Sequence, residues 1–218
     1  GEAMSDPMFN RLIETAQKRV EGRNYTIRKH TLEYDDVMNK QRQTIYAFRN
    51  DVLHEKEIFS LVQEIISHVA LMVGDALMPS AQGVPSVLRE WIDYSFPIKL
   101  EIPELLKLKS SDAIAERIAQ ELIEVLSQKL ACMAQEIAAA ANRDLGDIEE
   151  ICKDVIRSIM IMHIDEQWKI HLMDMDLLRS EVGLRTVGQK DPLLEFKYES
   201  FFLFEGLIRD IRIMIAKH

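Results

Sequence analysis

Glycine and proline are scarce in this chain, with eight glycines and six prolines in 218 residues. Sandwiches, barrels and propellers need many turns made of these residues, and strands rich in β-branched and aromatic side chains. Aromatics are only 7% here, so an all-β fold is excluded. The two cysteines, Cys132 and Cys152, form neither a disulfide framework nor a metal-ligand spacing, which fits a reducing compartment. No run of about 18 uncharged apolar residues is present, so no transmembrane helix is expected. The opening Gly1-Glu2-Ala3-Met4 lacks the basic and apolar regions of a signal peptide and reads as a cloning remnant. What is present is 47% apolar and 29% charged. That is too hydrophobic for a disordered chain and enough for a sizeable core.

Positive charge is outnumbered overall, giving a net charge of −9, but it is unevenly spread. Residues 11–49 carry +4, residues 54–150 carry −9 and residues 151–218 carry −1. The acidic stretch is consistent with a solvated face, and the contrast suggests surfaces with different neighbours.

The apolar pattern is helical nearly throughout, predicting an all-α fold. Asp6-Pro7 supplies an N-cap and first-turn pair. Ile27, Tyr34, Met38, Ile45, Phe48 and Val52 then follow at helical intervals. With Leu12, Ala16 and Val20 they predict one helix of about forty residues, which at 1.5 Å per residue is about 60 Å long. Gly22 need not break it, since glycine costs about 1 kcal/mol relative to alanine. A second helix runs from Ile58 to near Pro79. Four of the six prolines fall in 79–103, predicting loop around a short helix at Val87–Tyr94. Ser110 or Ser111 caps a third long helix reaching Ala141. Asp147 and Glu150 form an acidic capping box for a fourth, with Ile151, Val155, Ile159, Met162, Ile170, Met173 and Leu177 on one face. After a loop at Gly183–Pro192, a last helix carries Phe196, Phe204, Leu207, Ile208, Ile211 and Ile215. These last two helices predict an antiparallel hairpin.

Catalytic motifs are missing: no G-x-x-x-x-G-K-[ST], no G-x-G-x-x-G, no G-x-S-x-G and no H-E-x-x-H occurs. Di-iron bundles need Glu-x-x-His on two helices. Here His163-x-x-Glu166 and His171-x-x-Asp174 are reversed and share one helix, so surface or partly buried histidines are expected instead of ligands. The eleven methionines fall mostly on apolar stripes as adaptable packing. The basic face of the first helix lacks aromatic interleaving, so nucleic acid is not an expected partner.

Two stretches carry a resemblance. The first is Ala16-Gln17-Lys18-Arg19-Val20-Glu21-Gly22-Arg23-Asn24, continuing through Arg28-Lys29 into Leu32-Glu33-Tyr34-Asp35-Asp36-Val37-Met38-Asn39-Lys40-Gln41-Arg42. The second is Ile164-Asp165-Glu166-Gln167-Trp168-Lys169-Ile170-His171-Leu172, then Met175-Asp176-Leu177-Leu178-Arg179, Gly183-Leu184-Arg185, Gln189-Lys190-Asp191-Pro192, Glu195-Phe196-Lys197 and Glu199-Ser200-Phe201. In order and spacing they resemble the long scaffold helix and the two-helix finger of the SecA family of bacterial preprotein translocase ATPases. Residues 54–150 resemble that family's helical wing by position and helical character only.

The resemblance implies three segments: a scaffold helix at 1–53, a wing domain at 54–150, and a finger returning to the scaffold at 151–218. It implies a non-catalytic C-terminal portion that couples ATP hydrolysis in domains lying before residue 1 to polypeptide passage through the SecY channel, and that restrains the ATPase. Implied partners are those motor domains, the SecY complex, unfolded preprotein and, in the full-length protein, a second copy. No cofactor is expected in this portion; ATP and magnesium would belong to the motor domains, and a zinc-binding tail would follow residue 218. A cytoplasmic protein peripherally associated with the inner membrane is implied. The fingertip Leu184, Arg185, Thr186, Val187, Gly188 and Gln189 would contact polypeptide and channel. Arg28, Lys29, Glu33, Asp35, Asp36 and Arg42 would couple to the motor domains. Many family members have a fingertip tyrosine where Val187 stands, a smaller and purely apolar contact. A free-standing helical adaptor, binding partner helices through methionine stripes, is the alternative reading of the same residues.

Overall fold

A computed structural model describes residues 7–78, 85–96, 100, 102–108, 110–141, 145–184 and 191–218. The helices are α1 (Pro7–His54), α2 (Ile58–Leu77), α3 (Ser86–Ser95), α4 (Ile102–Leu105), α5 (Ser111–Ala141), α6 (Leu145–Leu184) and α7 (Pro192–Lys217), with a 3-10 turn at Leu106–Leu108 after α4. No strand occurs among the described residues, and the fold is all-α as the periodicity predicts.

α1 runs 48 residues without interruption. Ion pairs one turn apart support it, Lys18 with Glu14 at 2.7 Å and Lys40 with Asp36 at 2.8 Å. A side chain added at Gly22 would meet nothing within 4 Å, so that glycine imposes only its backbone entropy. α1 stops where the Asp51 carbonyl accepts the Glu55 amide at 2.8 Å.

The chain forms two compact units, one from residues 1–44 and 174–203, the other from 45–173 and 204–218. In the larger, α2 packs along α5. Val62, Ile65, Ile66, Val69, Val73 and Leu77 of α2 are buried, as are Ile114, Ala115, Ile118 and Leu122 of α5. α2 is long and apolar enough to cross a membrane, although it carries Glu64 and Asp75 and turns this buried face to α5. The helices meet closely at Gly74, where an added Cβ would lie 2.8 Å from the Ser111 carbonyl oxygen and 3.2 Å from the Ala115 nitrogen. Beside it the Ser111 hydroxyl donates to the Asp75 carboxylate, while the Ser110 carbonyl accepts the Ile114 amide at 3.0 Å. The residue before α5 thus takes its N-terminal position, and Ser111 ties the helix to its neighbour.

Polar links between helices complete this unit. Arg49 of α1 donates to Asp165 of α6 at 3.0 and 3.4 Å. Arg157 of α6 donates to the Glu55 carbonyl at 2.9 Å, Lys129 of α5 to the His218 carbonyl at 3.0 Å, and Lys217 lies 3.9 Å over the Tyr94 ring of α3.

Several expectations need correction. Residues 102 and 103 fall in the predicted loop but open the short helix α4, whose Ile102 and Leu105 are buried in the core. α6 opens at Leu145, so Asp147 lies inside its first turn, where a carboxylate favours the helix dipole. Ile27 is exposed, and the buried stripe of α1 starts near Tyr34. On α6 the buried apolar positions among the described residues are Ile148, Cys152, Ile156, Met160, Ile164, Trp168, Met175, Leu178 and Val182, with His163 and His171 buried beside them. Met162, Ile170, Met173 and Leu177 of the predicted face are exposed, and the buried face lies one position further along the sequence.

Two glycines make opposite predictions. Gly74→Ala lowers stability by about 1–3 kcal/mol, because backbone must move to admit the methyl group. In Gly206→Ala the added carbon meets only the flexible end of Arg209, at 3.8 Å, and stability rises by about 1 kcal/mol. Urea midpoints for both variants check the pair.

Candidate functional site

The smaller unit is a three-helix joint. Met175, Leu178 and Val182 of α6 and Phe196 of α7 are buried in one cluster, against which Tyr34, Val37 and Met38 of α1 and Leu203 of α7 pack. Tyr34 and Phe196 meet edge-to-face with centroids 4.7 Å apart, the geometry favoured by ring quadrupoles. The Arg179 guanidinium lies 5.4 Å from the Tyr34 ring centre, and its Nη1 is 3.4 Å from Asp35. Burial, with the carboxylates of Asp191 and Glu33, pushes the Tyr34 phenol up against the opposing pull of Arg179. The hydroxyl therefore stays protonated at neutral pH.

Gln41 is the second fastener. Its side chain is buried and donates Nε2–H to the Ser200 carbonyl of α7 at 3.0 Å, fixing α1 and α7 in one register. On one side of the helix hairpin, Asp191 caps α7: its carboxylate accepts the Leu193 amide at 2.9 Å and its carbonyl accepts the Glu195 amide at 3.2 Å. Pro192 fills the first helical position, where no amide proton is needed.

Of the residues expected to couple outward, Asp35 reaches the hairpin through Arg179. The others show their contacts on α1 itself. Glu33 lies 4.0 Å from Lys29 and 3.4 Å from the His30 ring, Asp36 pairs with Lys40, and Arg42 donates to Asn39 at 3.1 Å. Arg28 is exposed. The fingertip residues Arg185, Thr186, Val187, Gly188 and Gln189 lie outside the described residues, and of Leu184 only the backbone, as the last residue of α6, is described. Tyr34, Gln41, Arg179 and Ser200 were not singled out as site residues. A polar Gln41 at helical spacing between Met38 and Ile45 was the available signal, since an amide on an apolar stripe needs a buried partner.

The histidines of α6 are buried, which corrects the expectation of surface or partly buried rings. The His163 Nε2 is 3.1 Å from the His218 Nδ1, and among the described residues no three His, Cys, Asp or Glu side chains gather as a metal site. Burial, then the neighbouring His218 ring, pulls His163 below its ordinary pKa, with Glu166 opposing.

Two outcomes follow from these contacts. In a double-mutant cycle of Tyr34→Leu and Phe196→Leu, the coupling energy is about 0.5–1.5 kcal/mol. For His163 the folded-state pKa is lowered, so its neutral ring costs nothing above the unfolded value of 6.5, and stability is lost as pH falls below it. Denaturant midpoints at pH 7.5 and 5.5 should differ more for the wild type than for His163→Gln.

Residues 3–218 match the family model described as SecA Wing and Scaffold domain. A Protein translocase subunit SecA from Chlamydia abortus is 70% identical over 222 residues, one from Chlamydia felis 69%, and one from Chlamydia trachomatis serovar L2 62% over 226 residues. Each alignment covers 100% of this chain but 23% of the relative, so the chain spans about a quarter of the length of these curated proteins. With its all-α fold and a match over nearly its whole length, the chain belongs to the SecA wing and scaffold family.

Proposed function

We propose that this chain is the force-transmitting portion of a protein-export motor, and that α1 and the α6–α7 hairpin work as one lever. The carrying observation is the joint itself. Tyr34, Arg179 and Phe196 on one level, and Gln41 with Ser200 on another, hold α1 to both hairpin helices at two separate points. Two points resist sliding and rotation together, which a single contact would not.

In this reading ATP hydrolysis, with its magnesium, belongs to motor domains outside the chain, which this portion restrains. The hairpin tip at Leu184–Gln189 meets unfolded preprotein at the SecY channel, from the cytoplasmic side of the inner membrane. Support comes from the relatives' role as translocase subunits and from α1's first half, where Met8, Phe9, Leu12, Ile13 and Val20 are exposed. An apolar series of this kind suits docking against further domains. The segments 1–53, 54–150 and 151–218 remain our proposed assignment of scaffold, wing and finger. Asp35 acts inward on the hairpin, while Arg28, Lys29, Glu33, Asp36 and Arg42 present the helix's charged surface to the motor.

The test uses the full-length protein. Tyr34→Leu combined with Gln41→Leu should leave basal ATP turnover in place and raise the ATP consumed per polypeptide transported severalfold. An unchanged ratio, with the joint shown to be weakened by its lower melting temperature, would overturn the lever. Val187→Asp should reduce transport while shifting stability by only about 0.5 kcal/mol.

A further inference from the structure

The larger unit contains a cavity of about 200 Å³ between α2, α5, α6 and α7. Leu126, Leu130 and Met133 of α5 face Val155 and Ile159 of α6 across it. Every apolar side chain lining it is buried or half-buried, and the two polar ones, Lys129 and His218, are exposed. The hollow therefore has an apolar interior and a polar, cationic rim. This is the usual composition of a small-molecule site in a helical bundle, where apolar walls supply affinity and a few polar groups set orientation.

Lys129 already donates to the His218 carbonyl at 3.0 Å, which places its ammonium at the junction of α5 and the end of α7. An ammonium carries three donors, so that bond leaves two for another acceptor. The flexible Met133 lets the wall adjust to an occupant. An interior of about 200 Å³ has room for a short alkyl chain.

We infer that this cavity binds a medium-chain alkyl carboxylate, with the tail between α5 and α6 and the carboxylate on Lys129. Charge complementarity at the rim selects the anion over a neutral chain, and the volume of about 200 Å³ limits its length. The site is independent of the lever, because none of its residues belongs to the three-helix joint.

Octanoate is the probe, titrated by calorimetry into the full-length protein, with hexanoate, decanoate and octanol alongside. Affinity should rise about fourfold per added methylene up to eight carbons, the gain expected for burying each CH2, and level off beyond. Lys129→Ala should weaken octanoate at least fivefold and leave octanol unchanged. Met133→Trp, which fills the cavity, should abolish binding of both. Should that variant prove unfolded by circular dichroism, methyl NMR of Met133 and Ile159 in the wild type replaces it, and both signals should shift on adding octanoate. Equal affinity for octanoate and octanol, no dependence on chain length, or unmoved methyl signals would each overturn the assignment. So would octanoate binding that survives in a folded Met133→Trp variant, since the ligand then sits elsewhere.

Discussion

The hydrogen bond from Gln41 to the Ser200 carbonyl constrains more of the smaller unit than its modest strength suggests. An amide that is buried must be satisfied, and leaving it unpaired costs about 1–3 kcal/mol. Sliding α7 by one residue along α1 would strand this donor, whereas an apolar contact at the same place would tolerate the slip. Tyr34 enforces the same register by shape, since its ring must meet the edge of Phe196 and the guanidinium of Arg179 together. Apolar packing supplies most of the attraction between these helices, and one polar contact makes the arrangement single-valued.

That division explains which features were legible in the sequence. The long helices, the uninterrupted α1 and the hairpin all follow from apolar spacing and the scarcity of breakers, because periodicity records burial summed over many residues. The buried face of α6 was less legible. Its central run Ile159-Met160-Ile161-Met162 is apolar on every side, so two neighbouring stripes fit equally well. Two of the deciding residues, His163 and His171, are polar types that a hydrophobicity reading places on the surface or at its edge. Burial of such side chains is decided by partners on other helices, as with His163 beside His218.

Which charges of α1 reach another helix was less legible for a related reason. Charged side chains on a long helix find partners one turn away, and Lys29, Glu33, Asp36 and Lys40 do so. Sequence shows that such pairs are available but not which charge reaches across. Asp35 crosses to Arg179 because Tyr34 beside it is fixed in the cluster, carrying the next residue toward α6. The signal lay in the neighbour's ring, not in the carboxylate.

The two units also differ in how much holds them. Among the described residues the smaller rests on the cluster of Met175, Leu178, Val182 and Phe196 and on directional contacts, while the larger has a long α2–α5 core and polar links among its helices. Local opening follows buried contact density, so the smaller unit is the lower-cost place for rearrangement. A lever that must shift during a work cycle benefits from this, provided it returns to one register. Apolar packing alone would permit easy opening with an ambiguous return. Gln41, buried with its Nε2–H on the Ser200 carbonyl, makes closing specific without making opening prohibitive.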